Sequence, residues 1–378
     1  MNIDTDRITC SGLSEGFGCR EHIVDELAKA AGWPGAGILM RRLAERTTCM
    51  TMLAGAGSRW VASLQESSAG ADPARADPAG ADPAGADPAA PRGLYPVPNA
   101  MGFGPDPIPI AGYALAAVRE LGHHVIVVRG WEREITERIL SPLGYPAGSW
   151  TFVTQYAPGG KPRGHGDAAY QAMPVWTDSD YVIVNFGGDA SSPLTALASL
   201  AVMDALARLL GDKAPGLLMP VAMTESPDYP VLLDDRGFPK GFGHAKLSGS
   251  QSAATKAGPG YTNVGVRVYR AAALRKAIER IRKAHWSPER GYAIPGNAAP
   301  DGDSSGGVLI GGEFALDNVD AMLAAEGKAR ILAIARPQEL SPVKSLADLP
   351  RFNRDIRVVC EDWPLVAPYS NKGFGLEK

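Results

Sequence analysis

Cysteine is scarce in this chain. The four present, Cys10, Cys19, Cys49 and Cys360, stand too far apart for a disulfide framework or a paired CxxC zinc site. They read as free thiols of a reducing compartment. A dominant sign of charge is also missing: 38 Lys and Arg face 41 Asp and Glu, a net charge of −3. That balance gives no general attraction for nucleic acid or an anionic membrane. Nowhere do about 18 apolar residues run uninterrupted, which argues against a membrane span. Residues 1–19 are polar, without the apolar stretch of a signal peptide. The expectation is a cytoplasmic protein with neither nucleic acid nor membrane as partner. Phosphate binding, if the chain does it, must rest on a few placed cations and backbone amides.

The 378 residues, 45% hydrophobic and 21% charged, suit one large α/β domain with smaller appended pieces. Residues 1–48 read as a helical extension for packing or homo-oligomer formation. Helix formers over Glu21–Ala30 and Ile38–Glu45 are separated there by Gly32-Trp33-Pro34-Gly35. Residues 66–90 read as a low-complexity loop insert, because the five-residue unit Gly/Arg-Ala-Asp-Pro-Ala recurs four times between Gly70 and Ala89. It offers no large apolar side chain to bury, and a proline stands in every unit. Elsewhere strands alternate with helices. Strands are expected at Thr48–Ala54, Val125–Val128, Tyr181–Asn185, Gly216–Met223 and Val264–Tyr269. Helices are expected at Ile110–Leu121, Pro193–Leu210 and Ala271–Ala284. That alternation predicts a Rossmann-like mixed, mostly parallel sheet sandwiched by helices. Residues 351–378 read as a C-terminal wrap.

The chemistry-bearing residues cluster after strands. Leu53-Ala54-Gly55-Ala56-Gly57-Ser58-Arg59 is a strand end feeding a glycine loop, where backbone amides and an arginine can meet an anion. A tight strand-to-helix turn explains the same glycines. Position 60 is Trp60, so the loop lacks the third glycine of GxGxxG, and no GKS or GKT follows. Tyr181–Asp189 is a hydrophobic strand ending in Gly187-Gly188-Asp189. Asp189 there could hold a metal ion or cap the next helix.

Taken in order, these segments resemble the sugar-1-phosphate nucleotidyltransferases, the nucleotide-sugar pyrophosphorylases. The glycine loop ending in Ser58-Arg59, followed after the insert by Pro91-Arg92-Gly93-Leu94, is similar to that family's bipartite signature, with Arg92 in place of its lysine. Gln155 and the turn Gly164-His165-Gly166 resemble the segment that closes over the base. Asp189 matches the metal-binding aspartate. Asn263-x-Gly265 and Glu313 resemble acceptor-contacting segments, and Lys246 stands where relatives carry a Glu-Lys pair, although Ala245 replaces the Glu. Glu339-Leu340-Ser341-Pro342-Val343-Lys344 resembles the Glu-Phe-Ser-Pro-Leu-Lys of the UDP-sugar branch. The resemblance covers about residues 49–350, the expected nucleotidyltransferase domain.

What it implies is an enzyme joining a nucleoside triphosphate, UTP favoured, to a sugar-1-phosphate, with release of pyrophosphate. A cyclitol phosphate is an alternative acceptor. Arg59, Arg92 and Lys344 would grip phosphates, and Asp189 would hold Mg2+. Residues 53–58, Gln155, Gly164, His165 and Gly166 would bind the nucleotide. Gly188, Lys246, Asn263 and Glu313 would bind the acceptor. A metal-dependent glycosyltransferase of similar fold is the chief competitor, but the Asp-x-Asp of such enzymes is missing at Gly188-Asp189-Ala190-Ser191. A nucleotide sensor that binds without turnover is a second competitor.

Overall fold

The computed structural model describes residues 20–30, 35–53, 91–156, 163–242, 259–294 and 313–366. The low-complexity insert and the glycine loop 54–59 lie outside them, as does Lys246.

Eight strands form the central sheet: β1 (Thr47–Met52), β2 (His123–Val128), β3 (Trp150–Thr154), β4 (Tyr181–Phe186), β5 (Leu217–Thr224), β6 (Gly260–Asn263), β7 (Arg267–Arg270) and β8 (Ala329–Leu332). Their order is β3-β2-β1-β4-β7-β5, with β6 and β8 also paired to β5. β1 pairs in parallel with β2 and β4, and β2 with β3. The chain then runs antiparallel to β5 twice, as β6 and as β7, on either side of an arch at residues 264–266. The expected mixed, mostly parallel sheet is therefore present.

Strand periodicity assigns the two faces. In β1, β2 and β4, Cys49, Ile126, Val128 and Ile183 point into one apolar layer, and Met50, Val125, Val127, Val182 and Val184 into the other. Helices α1 (Arg20–Ala30), α2 (Ala36–Ala44), α3 (Ile110–Val118), α5 (Pro193–Leu210) and α8 (Leu349–Cys360) cover the first face. Helices α4 (His165–Gln171), α6 (Ala271–His285) and α7 (Leu316–Ala325) cover the second. The N-terminal helices pack on α5, so that segment shares the main core.

α5 starts where the sequence predicts, because Ser192 caps it: its Oγ accepts from the amides of Leu194 and Thr195, and Pro193 takes the first helical position. With the short turn after it, α5 is the one described helix long and apolar enough to cross a membrane, yet 67% of that window is buried in the fold. It is a core helix.

Three departures from the sequence reading have local causes. β7 begins at Arg267 instead of Val264, because Gly265 has φ +82° and bends the chain out of the strand. β2 begins at His123, two residues before the expected Val125, because the parallel pairing with β1 extends to His123 and His124. The edge strand β3 was not foreseen, since Trp150–Thr154 is only partly buried and carries no unbroken apolar run.

Candidate functional site

β1 is the first strand laid down, and the chain winds from it through β2 to β3 before crossing to its other side for β4. The carboxyl ends of β1 and β4 are thus a topological switch point, where open α/β sheets leave a crevice for a ligand. Both ends are tied down there. The Leu53 amide donates to Val127 O at 2.8 Å, and the Gly187 amide donates to Met52 O at 3.1 Å.

Four segments converge on the turn Gly187-Gly188-Asp189. The first is the turn Arg92–Leu94, whose Gly93 fits between Leu53, Ala111 and the Gly187 carbonyl. Docked in this way, it lays the Arg92 guanidinium over Gly188. A β-carbon on Gly188 would stand 2.6 Å from Nε and Nη2 of Arg92, so glycine there lets the guanidinium lie directly against the turn.

The second segment is Glu339–Lys344. The buried Glu339 carboxylate accepts from the Ser192 amide (3.2 Å), Thr195 Oγ1 (2.8 Å) and the Arg336 amide (2.9 Å), which fastens the segment to the start of α5. The Val343 amide donates to Gly188 O at 3.0 Å, beside Asp189. The amides of Lys344 and Ser345 donate to Asp348 Oδ2 at 2.8 and 2.7 Å. The Lys344 side chain then lies with its Nζ 4.8 Å from the centroid of the Tyr229 ring.

The third segment is the arch after β6. Asn263 Oδ1 accepts from the Gly265 amide at 3.4 Å, and a β-carbon on Gly265 would stand 2.5 Å from Asp189 Oδ2. The fourth is β7 itself, which brings Arg267 up beneath Phe186, its Cζ 5.1 Å from the ring centroid.

Asp189 is therefore the common neighbour. Burial pushes its carboxyl above the usual aspartate range, while Arg92, Lys344 and Arg267, in that order, pull it down. Its carboxylate makes no hydrogen bond or ion pair with any described residue, its amide donates to Phe186 O at 3.1 Å, and neither Arg92 nor Lys344 is ion-paired within 4 Å among the described residues. Helix capping does not explain Asp189, because Ser192 caps α5.

Arg267 is paired differently. Its Nη2 and Nε each lie 2.8 Å from a carboxylate oxygen, of Asp317 and Asp320 respectively. Burial works against its charge, but Asp320 and Asp317 outweigh that and hold the guanidinium charged. Burial pushes the Asp320 carboxyl above the usual aspartate range, while Arg267 pulls it back down. The same α7 face reaches the turn 164–166. Asp317 Oδ2 lies 3.5 Å from His165 Nε2, and His165 Nδ1 accepts the Leu316 amide proton at 2.9 Å. That bond leaves Nε2 as the protonated ring nitrogen, facing Asp317.

Of the residues singled out by sequence, the fold brings together Arg92, Gly188, Asp189, Asn263 and Lys344, with Leu53 beneath them. Arg59, Lys246 and residues 54–58 lie outside the described residues. Gln155, Gly164, His165 and Gly166 form a connected neighbouring unit, in which Gln155 Nε2 donates to Gly164 O at 3.0 Å. Both glycines approach the protein's own Phe314, Gly164 its backbone and Gly166 its ring. A β-carbon on Gly166 would meet that ring at 2.7 Å, and the Gly166 amide donates to Phe314 O at 2.8 Å. Glu313 precedes Phe314 on the strap that covers this turn. Sequence reasoning missed Arg267, Asp317, Asp320 and Tyr229. A signal existed for the first three: an arginine inside an apolar strand needs a buried acid, and Asp317 and Asp320 stand one helical turn apart on one face.

Among the described residues no group of three or more His, Cys, Asp or Glu is placed to hold a metal ion. A single carboxylate still suits magnesium when phosphate oxygens and water complete the shell, and the Asp189 carboxylate, with no hydrogen-bond or ion-pair partner among the described residues, meets that condition. No family model matches the chain, and no curated protein matches it.

Proposed function

We propose that this chain is a nucleotidyltransferase. It joins a nucleoside triphosphate, UTP favoured, to a sugar-1-phosphate and releases pyrophosphate. The observation that carries this reading is the meeting of Arg92, Lys344 and Asp189 at the switch point between β1 and β4. Two phosphate-bearing reactants repel each other, and a site that joins them must gather cations that are not already spent on ion pairs.

In this reaction an oxygen of the acceptor phosphate attacks the α-phosphorus. The bond from the α-phosphorus to the β-bridging oxygen breaks, and pyrophosphate leaves with that electron pair. The acceptor is already ionised at neutral pH, so no general base is required. This agrees with a His165 whose ring nitrogens are both engaged within the protein. Arg92, lying over Gly188, takes phosphate oxygens bidentately. Lys344 supplies a second positive charge beside the same turn, and Asn263 is assigned to the acceptor. Asp189 would hold magnesium, which when bound neutralises phosphate charge and orients the reactants. Gln155 and the turn 164–166 are assigned to the nucleotide, and Arg59 with residues 54–58 to the triphosphate, on the sequence resemblance alone.

The test is pyrophosphate release by the purified full chain, with each of the four triphosphates and a panel of hexose-1-phosphates and N-acetylhexosamine-1-phosphates. Turnover with UTP and one of these acceptors is the expected result. Pyrophosphate release independent of any sugar phosphate, or sugar transfer from a nucleotide-sugar without it, would sink the reading.

A further inference from the structure

Tyr229 belongs to none of the segments that carry the sequence resemblance, yet it touches two of them. It lies between β5 and a small hairpin of Val231–Leu233 and Pro239–Phe242. Its backbone is stitched to β6. The Asn263 amide donates to Tyr229 O at 3.2 Å, the Tyr229 amide donates to Thr262 Oγ1 at 3.2 Å, and Thr262 Oγ1 donates back to Tyr229 O at 3.4 Å. Asn263 starts the arch that backs Asp189, so the backbone of Tyr229 is fixed relative to the Asp189 carboxyl.

The backbone bonds of Lys344 and Val343 fix only where the lysine begins. A lysine side chain has four rotatable bonds, and the direction of its ammonium must be set by what the ammonium meets. Among the described residues its one ring contact, hydrogen bond or ion pair is the face of Tyr229, at 4.8 Å. This is within the range of a cation–π attraction.

We propose that Tyr229 is the positioning residue that aims the Lys344 ammonium at the Asp189 site. The proposal rests on the phosphate-transfer reading and deepens it: the ring decides where the second cation meets a bound phosphate. The attraction comes from the ring face, so phenylalanine should replace tyrosine, whereas an aliphatic side chain of similar bulk should not.

The probe is inorganic pyrophosphate, with binding to the full chain measured by calorimetry. Tyr229→Leu should weaken binding about fivefold, and Tyr229→Phe less than about twofold. In a Lys344→Met background, Tyr229→Leu should change nothing further, an outcome a general structural role would not produce. Without any ligand, the Lys344 side-chain methylene protons should show an upfield ring-current shift in wild type and in Tyr229→Phe, and lose it in Tyr229→Leu. Absence of that shift in wild type overturns the proposal even if Tyr229→Leu fails to fold. So does an equal loss of affinity with and without Lys344, or no loss at all in Tyr229→Leu. Failure of the wild-type chain to bind pyrophosphate overturns the functional reading first and this inference with it.

Discussion

The carboxyl of Asp189 occupies the space that a side chain on Gly265 would need, 2.5 Å from Oδ2 to the position of that β-carbon. Gly265 also has φ +82°, which L side chains adopt at a penalty of roughly 1 kcal/mol or more. Gly265→Ala should therefore act twice. Stability should fall by about 1–2 kcal/mol, measured by urea unfolding, and the displaced carboxyl should lower turnover by about tenfold or more. A variant that loses stability but keeps full turnover would remove Asp189 from the reaction.

Asp189→Asn separates function from folding in the opposite direction. Burial raises the folded-state pKa of Asp189, so the ionised carboxyl is the form the fold disfavours at neutral pH. Removing that charge should leave stability unchanged or slightly raised. Turnover should fall by about a hundredfold or more, since the several kcal/mol expected of a bound metal ion would be lost. An unfolding midpoint that drops sharply would mark Asp189 as a structural anion.

Much of this site was legible in the sequence because its parts follow strands. The apolar run Tyr181–Phe186 announces β4 with Asp189 just past its carboxyl end, and the order of the motifs puts Arg92 among the candidates that the fold brings to Gly188. Relationships between distant segments were not legible. Glu339 reads as part of a phosphate-binding segment, yet its carboxylate is spent on Ser192, Thr195 and Arg336. Gly164 and Gly166 read as room for a base, yet Phe314 fills the space beside them. The contact of Tyr229 with Lys344 depends on how β6 is stitched to its neighbour, which no local pattern encodes.

The stability of the sheet should fall in acid through His124. It is 1% exposed within β2, its Nε2 lies 2.9 Å from Arg119 O, its ring packs edge-on against Tyr145, and its Nδ1 has no hydrogen-bond partner among the described residues. Burial lowers its pKa to about 4, against about 6.5 for the unfolded chain. Between those values the unfolded chain binds more protons, so stability falls as pH drops from 6.5 towards 4, by at most about 3 kcal/mol. Urea unfolding of wild type and His124→Phe at pH 7 and pH 4 checks this. The variant should show a smaller loss between the two pH values, and equal losses would assign acid unfolding to other groups.

Arg267 should be the residue behind the site that the fold tolerates losing least. Its guanidinium separates two buried carboxylates, with Asp317 and Asp320 each 2.8 Å away, and Tyr269 donates its hydroxyl to Asp320. Arg267→Met removes the cation and leaves two buried anions facing each other, a change expected to cost about 3–5 kcal/mol. If uncompensated charge is the cause, adding Asp320→Asn to Arg267→Met should recover part of that loss, because one buried anion disappears with little change in shape. If lost packing is the cause, the second substitution should add to the damage, since the Tyr269 hydroxyl then faces a weaker acceptor. Unfolding midpoints of the two variants decide between these outcomes. Pyrophosphate release by the double variant then shows how far Arg267 acts through the fold and how far through its field on Asp189.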